Sequence, residues 1–369
     1  MNKILKQTLP ATALLVSATL GLMATAQAET ELVVVSWGGA YTASQQQAYH
    51  EPYMAANPDI KIVNDDSANE ALSKLRAMQE AGNVTWDLVD AVASTAIAAC
   101  DEGLAIEIDH DNDLAKAADG TLASEDFGDL IISPCFIPQI VYSTTFGYRT
   151  DKVGNNPPTS INDVFDLKKY PGKRALEKRP INNLEWALIA DGVPVGDVYA
   201  ELGTEAGVKR ALKKLDTIKD QVIWWEKGAQ TPQLLADGEV VMGSTYNGRL
   251  FSAIVEEKQP IAMLWDWQAF DLDGWIVPKG GKNEAAVMKY LKFATDTQRL
   301  ADQAKYISYG PARASSAPLV GKHAALGIDM APHMPTDPNN AKNTLIYDYE
   351  FWADNTDDLT EQFNVWLAQ

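Results

Sequence analysis

Few residues in this chain are arranged for bond-making chemistry. Its four histidines, His50, His110, His323 and His333, are scattered, and none falls in a His-Glu-x-x-His spacing that would put two imidazoles on one helix face for zinc. No Gly-x-Ser-x-Gly turn exposes a serine nucleophile, and no Gly-x-x-x-x-Gly-Lys loop is present to cradle a phosphate. Asp109-His-Asp-Asn-Asp113 has the alternating acids of a calcium loop without its turn glycine or terminal glutamate, and reads as a solvated acidic loop. Gly38-Gly39 follows an apolar run, as in dinucleotide folds, but the remaining glycine spacing is wrong and a tight turn accounts for both. No catalytic set, cofactor or metal is therefore expected. What stands out instead is aromatic content: ten tryptophans and thirteen tyrosines, more than a core of this size needs. Trp37, Tyr41, Tyr246, Trp275 and Tyr309 fall where strands are expected to end. Each ring taken singly suits core packing, but rings grouped at strand ends could wall a cleft that traps an amine.

The elements that would position these rings begin with a strand–helix rhythm. Glu31 to Ser36 is an apolar run typical of a strand buried on both faces, followed by a helix over Thr42 to Ala56 that ends at Asn57-Pro58. Asp59 to Val63 alternates like a strand. Ala68 to Ala81 places Ala71, Leu72, Leu75 and Met78 on one helix face before Gly82. Trp86 to Val92 predicts a third strand with Ser94 as a helix N-cap, and Leu104 to Ile108 a fourth. Such alternation implies an α/β fold with a mainly parallel sheet and helices on both faces. Further on, Gly207–Lys219, Pro232–Ala236, Asn247–Glu256, Glu284–Thr295 and Gln298–Tyr306 read as helices. Gln221–Trp225 and Glu239–Ser244 read as strands, and 155–159 as a loop.

Lys3 and Lys6, the apolar stretch from Ala11 to Thr25 and the small-x-small Ala26-Gln27-Ala28 predict a secretion signal over residues 1–28, cleaved to leave Glu29 first. The apolar stretch is too short to span a bilayer, and no cysteine near the site offers a lipid anchor. Removing a segment with two lysines and no acid shifts the net charge from −19 to −21, which argues against nucleic-acid partners. More than three hundred residues remain, favouring two lobes. In an oxidising compartment the two cysteines, Cys100 and Cys135, are expected to form a disulfide, with two buried thiols as the alternative.

Five blocks in order carry a resemblance: the first strand running into Trp37; Trp86-Asp-Leu-Val with Ser94-Thr95; Gly238 to Gly248; Asp273-Gly-Trp-Ile-Val-Pro278; and Ile307-Ser-Tyr-Gly310. Together they make the chain similar to the periplasmic spermidine/putrescine-binding proteins of ABC importers. The resemblance implies two α/β lobes of the type II periplasmic-binding fold, joined by crossing segments, with a monomeric protein delivering its ligand to a membrane permease. Crossings are expected near Gln139–Ser143 and Phe270–Asp273. One lobe would comprise residues 29–140 with 274–310, and the other 141–273 with 311–369. By position, Trp37, Tyr41 and Ser94 would line one wall, Tyr246 and Tyr309 would enclose the ligand, and Asp273 would grip an ammonium.

Departures from that pattern bear on the ligand. Around Arg179-Pro-Ile-Asn182, where the family places acids for a second amine, this chain offers Arg179 and Asn182, and Arg249 follows Tyr246-Asn-Gly. An arginine facing a second buried ammonium would be unfavourable. One aspartate with an arginine fork suits a zwitterion such as 4-aminobutyrate, unless Arg179 points outward to pair with surface acids. The expected function is thus capture of a small amine-bearing solute, either a polyamine or an ω-amino acid, by hinge closure. The alternatives are a binder of a metal ion or anion on the same fold and a periplasmic enzyme. Ferric binders of related architecture use adjacent tyrosines, whereas Asp348 separates Tyr347 from Tyr349 here.

Overall fold

The computed structural model describes residues 29–369, so the secretion signal expected over residues 1–28 lies outside the described residues. In chain order the strands are β1 (Thr30–Val35), β2 (Ile60–Asp65), β3 (Leu88–Val92), β4 (Ile137–Arg149), β5 (Arg174–Glu177), β6 (Val222–Trp225), β7 (Met242–Tyr246), β8 (Ile261–Ile276), β9 (Gly310–Pro311) and β10 (Thr344–Ile346). The first three behave as the apolar runs predict. β1 lies parallel to both β2 and β3, and its side chains are buried on alternate faces. Leu32, Val34 and Leu88 pack on one side with Trp275, Tyr290 and Leu291. Val35 and Val89 pack on the other with Ala96, Phe136 and Ile276. Helices therefore cover both faces, as in the mixed α/β class expected from sequence.

The sheet continues in the order β2-β1-β3-β8-β4-β7-β5-β6. Two long antiparallel strands join its halves. β8 pairs with β3 through its C-terminal part, Asp273–Ile276, and β4 pairs with β7 through Thr144–Tyr148. β4 and β8 pair with each other along their lengths, with a register shift between Thr144 and Phe146 that leaves Trp265–Gln268 as a bulge. There Trp267 has φ 56°, and its carbonyl accepts from the Trp186 indole at 2.8 Å. Beyond this seam β5 lies parallel to β6 and β7, over a core of Phe146, Trp186, Leu188, Val208 and Leu215. The 19-residue helix Tyr349–Leu367 closes that core with Trp352, Leu359, Phe363 and Trp366, and also touches the helix Ala93–Asp101 of the first half.

Several expectations need correction. Ser94 is not an N-cap: the helix starts at Ala93 with Val92 in the cap position and no side-chain cap bond. Leu104–Ile108 is not a strand and keeps one bridge, Ala105 to Pro278. The strands β4 and β8 and the helices Asn183–Ala190 and Tyr349–Leu367 were not anticipated. Cys100 and Cys135 are bonded, with Cα atoms 5.7 Å apart. That disulfide ties the end of the helix Ala93–Asp101 to the segment entering β4.

Candidate functional site

A cleft of about 300 Å³ opens where the carboxyl ends of β1, β3, β5 and β7 meet the crossing strands. Its first wall follows β1. Trp37 is succeeded by Gly38 and Gly39 at φ 73° and 59°, left-handed conformations that glycine adopts without a Cβ penalty. A side chain at Gly39 would also stand 3.1 Å from Arg249 Nη1. Those two residues turn the chain tightly into the helix that carries Tyr41.

Asp273 forms the floor. β-pairing sets it opposite Val92 on one side and Ile140 on the other, both of which line the cleft. Asp273 is 2 % exposed, and its carboxylate accepts from the Trp37 indole at 2.7 Å and from the Tyr41 hydroxyl at 2.9 Å. Behind it, wholly buried Asp90 accepts from the Gln45 amide at 3.0 Å. Burial raises Asp273 well above the usual carboxylate range, and the charge of Asp90 adds to the rise, while the Tyr41 and Trp37 donors pull it partly back. Burial likewise raises Asp90. Neither acid has a cationic partner among the described residues, so an ammonium arriving at this end of the cleft would supply the counter-ion that ionised Asp273 lacks.

Two guanidinium groups face it, in different states. Arg249 sits on the helix Asn247–Phe251, whose first residue ties β4 to the Ser308 loop: Asn247 accepts from the Ser143 amide at 3.0 Å and donates to the Ser308 carbonyl at 2.6 Å. Arg249 reaches the Trp37 carbonyl at 3.4 Å and lies 5.8 Å from the Tyr246 ring centroid. Its Nε is buried without a partner, and it forms no ion pair among the described residues. Gly228 leaves room for this arrangement, since a Cβ there would come within 2.9 Å of Arg249 Nε and 2.6 Å of the Tyr246 ring. Arg179, just past β5, is instead paired with Glu177 at 2.7 Å.

Tyrosines complete the walls. Tyr41 and Tyr309 have centroids 5.9 Å apart, and Tyr142 stands edge-on to Tyr246 at 5.6 Å. Tyr142, whose hydroxyl donates to buried Asp271 at 2.7 Å, was missed by sequence reasoning. It lies mid-strand in β4, so no turn or strand end marks it. Of the anticipated residues, the fold brings Trp37, Tyr41, Arg179, Tyr246, Arg249, Asp273 and Tyr309 to one cleft. It does not bring Ser94 or Asn182. Ser94 is half-buried within its helix. Asn182 is buried at φ 70° and accepts from the Tyr347 hydroxyl, a structural contact at the start of the helix Asn183–Ala190. Among the described residues no three His, Cys, Asp or Glu side chains gather as ligands for a metal ion.

The chain is similar to known proteins. Residues 48–336 match the family described as bacterial extracellular solute-binding protein. The γ-aminobutyric acid-binding protein of Pseudomonas aeruginosa is 35 % identical over 353 residues, covering 95 % of each chain. Two solved structures align over 92 % of this chain. The binding protein MotA of A. tumefaciens, in complex with glucopine, matches over 100 % of its length with TM-score 0.81 and 30 % identity. The Atu4243–GABA receptor matches over 98 % of its length with TM-score 0.77 and 32 % identity.

Proposed function

The chain belongs to the bacterial extracellular solute-binding proteins, and from that premise we propose that it captures an ω-amino acid zwitterion such as 4-aminobutyrate and delivers it to an ABC permease. The observation that carries this reading is the pairing across one cleft of an acid and a cation that have no counter-ion among the described residues. Asp273 is buried without a cation and Arg249 without an acid, and Trp37 touches both, through its indole and its carbonyl. A zwitterion would complete both ends at once, ammonium on Asp273 and carboxylate on Arg249. A diamine would leave Arg249 facing a second cation. The relative named for γ-aminobutyric acid supports the same assignment.

In this reading the lobes comprise residues 29–140 with 274–310 and 141–273 with 311–369, and hinge about the crossing strands β4 and β8. The ligand contacts both lobes only when they close, and so shifts the population toward the closed form that the permease recognises. The chain acts as a periplasmic monomer after loss of residues 1–28, and it releases its ligand unchanged. Calorimetry with 4-aminobutyrate and putrescine tests the ligand. Arg249→Met should weaken 4-aminobutyrate by about 2 kcal/mol, roughly thirty-fold, while leaving putrescine equal or tighter. Unchanged 4-aminobutyrate affinity in that variant, or tighter putrescine than 4-aminobutyrate binding in the wild type, would overturn the proposal.

A further inference from the structure

The unequal treatment of the two arginines bears on which zwitterions are admitted. Among the described residues Arg249 has no acid partner, whereas Arg179 is matched by Glu177 with Nε and Oε2 2.7 Å apart, an ion contact outside hydrogen-bond geometry. Both guanidinium groups line the cleft, but Glu177 does not. Its side chain is 12 % exposed and that of Arg179 is 37 %, so the acid approaches the arginine from behind, on the protein side.

Glu177 is held there by the sheet. It ends β5 in register with Trp225 of β6, and Ala175 on the same strand pairs with Gly243 of β7. The loop that follows is fixed as well: the Asn183 amide donates to the carbonyls of Glu177 and Arg179, both at 2.7 Å. The pair therefore cannot separate by a swing of the loop without breaking those bonds. The other charged residues that line the cleft, Asp66, Glu226 and Lys227, are solvent-exposed at its rim and screened by salt.

Among the described residues, the groups deep in the cleft are one acid at Asp273 that an ammonium would ionise, one cation at Arg249 with no acid partner, and one cation at Arg179 already paired with Glu177. That set complements a ligand with one ammonium and one carboxylate. Without Glu177 it would complement one ammonium and two carboxylates, which is the charge pattern of glutamate (4-aminobutyrate bearing an α-carboxylate). We infer that Glu177 is a specificity-determining residue: by holding Arg179 in an ion pair it excludes amino dicarboxylates from a site that accepts monocarboxylate ω-amino acids. A second carboxylate at the Nη groups of Arg179 would have to share a guanidinium charge that Glu177 already offsets through Nε, and would meet repulsion from the Glu177 carboxylate. This form of selectivity rests on repulsion of the wrong ligand as much as attraction of the right one. It depends on the zwitterion reading of the cleft proposed above.

The test is the ratio of dissociation constants for L-glutamate and 4-aminobutyrate, measured by calorimetry on the full mature chain. Glu177→Gln should lower that ratio at least ten-fold through tighter glutamate binding, and the further change Arg179→Met in the same chain should abolish the gain. Glu177→Asp, which withdraws the carboxylate by one methylene, should give a smaller gain in the same direction and serves if the glutamine variant does not fold. If the wild type binds no 4-aminobutyrate, the zwitterion reading fails and this inference falls with it. If the wild type binds it but neither Glu177 variant gains affinity for glutamate, only the role of Glu177 is refuted.

Discussion

Replacing Asp273 with asparagine alters one atom and one charge, and the surroundings indicate what each is worth. In the native cleft Oδ2 accepts from the Trp37 indole at 2.7 Å and Oδ1 lies 2.9 Å from the Tyr41 hydroxyl. An asparagine can keep the Trp37 bond with its carbonyl and point its amide at the Tyr41 oxygen, which can accept, so the fold should survive. What disappears is the charge-assisted bond to the ligand ammonium, about 1.5–3 kcal/mol. The expected loss for 4-aminobutyrate is about 2 kcal/mol, close to thirty-fold in Kd.

The titration of Asp273 supplies a second signature. Burial and Asp90 hold its carboxyl above the ordinary range in the empty cleft, whereas a bound ammonium requires the ionised form. Ligand binding should therefore release a proton, and wild-type affinity should fall as pH drops through the raised pKa. The asparagine variant lacks this linkage, so the two affinity curves should converge toward acid pH. For folding the sign is opposite. A carboxyl whose folded pKa is raised contributes stability that is full below its unfolded pKa and lost as pH rises through the folded one. The ligand-free Asp273→Asn protein should therefore gain thermal stability relative to wild type at alkaline pH. Calorimetry from pH 5 to pH 8, in buffers of different ionisation enthalpy, reads both affinity and proton release. An Asp273→Asn protein that binds within three-fold of wild type at neutral pH would refute the assignment of Asp273 as the ammonium anchor.

Two further outcomes follow from the packing. Gly228→Ala should push Tyr246 and Arg249 out of position, because its Cβ would fall 2.6 Å from the Tyr246 ring and 2.9 Å from Arg249 Nε. Overpacking of this kind costs about 1–3 kcal/mol, so 4-aminobutyrate should weaken about ten-fold or more, and unchanged affinity would show that these groups do not contact ligand. Glu185 is wholly buried beside the Trp352 indole with Oε2 unpartnered, and burial pushes its pKa up to about 7. Folded protein thus keeps a proton that the unfolded chain loses above about pH 4, and stability falls from there to about pH 7. Glu185→Gln should remove that slope and raise stability to denaturant at pH 8 by up to about 3 kcal/mol, with little gain at pH 5; an equal change at both pH values would contradict the cause given.

Much of the first half was legible because its segments obey local rules. β1 to β3 are short apolar runs bounded by turn residues, and the helix ending before Gly82 shows its stop. β4 and β8 were not legible. β4 carries Pro138 and Gly147, with buried polar groups at Gln139, Ser143, Thr144 and Thr145. β8 carries Asp266, Asp271 and Asp273 and is broken by the bulge around Trp267. Their extended form comes from pairing with each other and with β3 and β7, so neither alternation nor propensity announces it. Ser94 and Asn182 were misplaced for a related reason. Their positions along the chain suit a cleft, but Ser94 sits within its helix and Asn182 turns inward at positive φ toward Tyr347, two structural orientations that spacing does not encode.

The sequence by itself determined the fold class and supplied the candidates: an α/β chain with aromatic rings at strand ends, two cysteines available to pair, and Asp273, Arg179 and Arg249 as its candidate charges. It left open whether Arg179 faced the cleft or paired elsewhere. Only the tertiary structure decided that Arg179 does both, that Arg249 meets no acid among the described residues, and that Tyr142 joins the walls. The reason is distance. The Trp37–Asp273 bond joins residues 236 apart in sequence, and the contact between Arg249 and Trp37 joins residues 212 apart. Whether a buried charge is answered depends on separations of a few ångströms, because Coulomb energy and desolvation both change steeply over that range. Residue type supplies the charge, and the packing of β4 and β8 between the two halves determines which partner it meets.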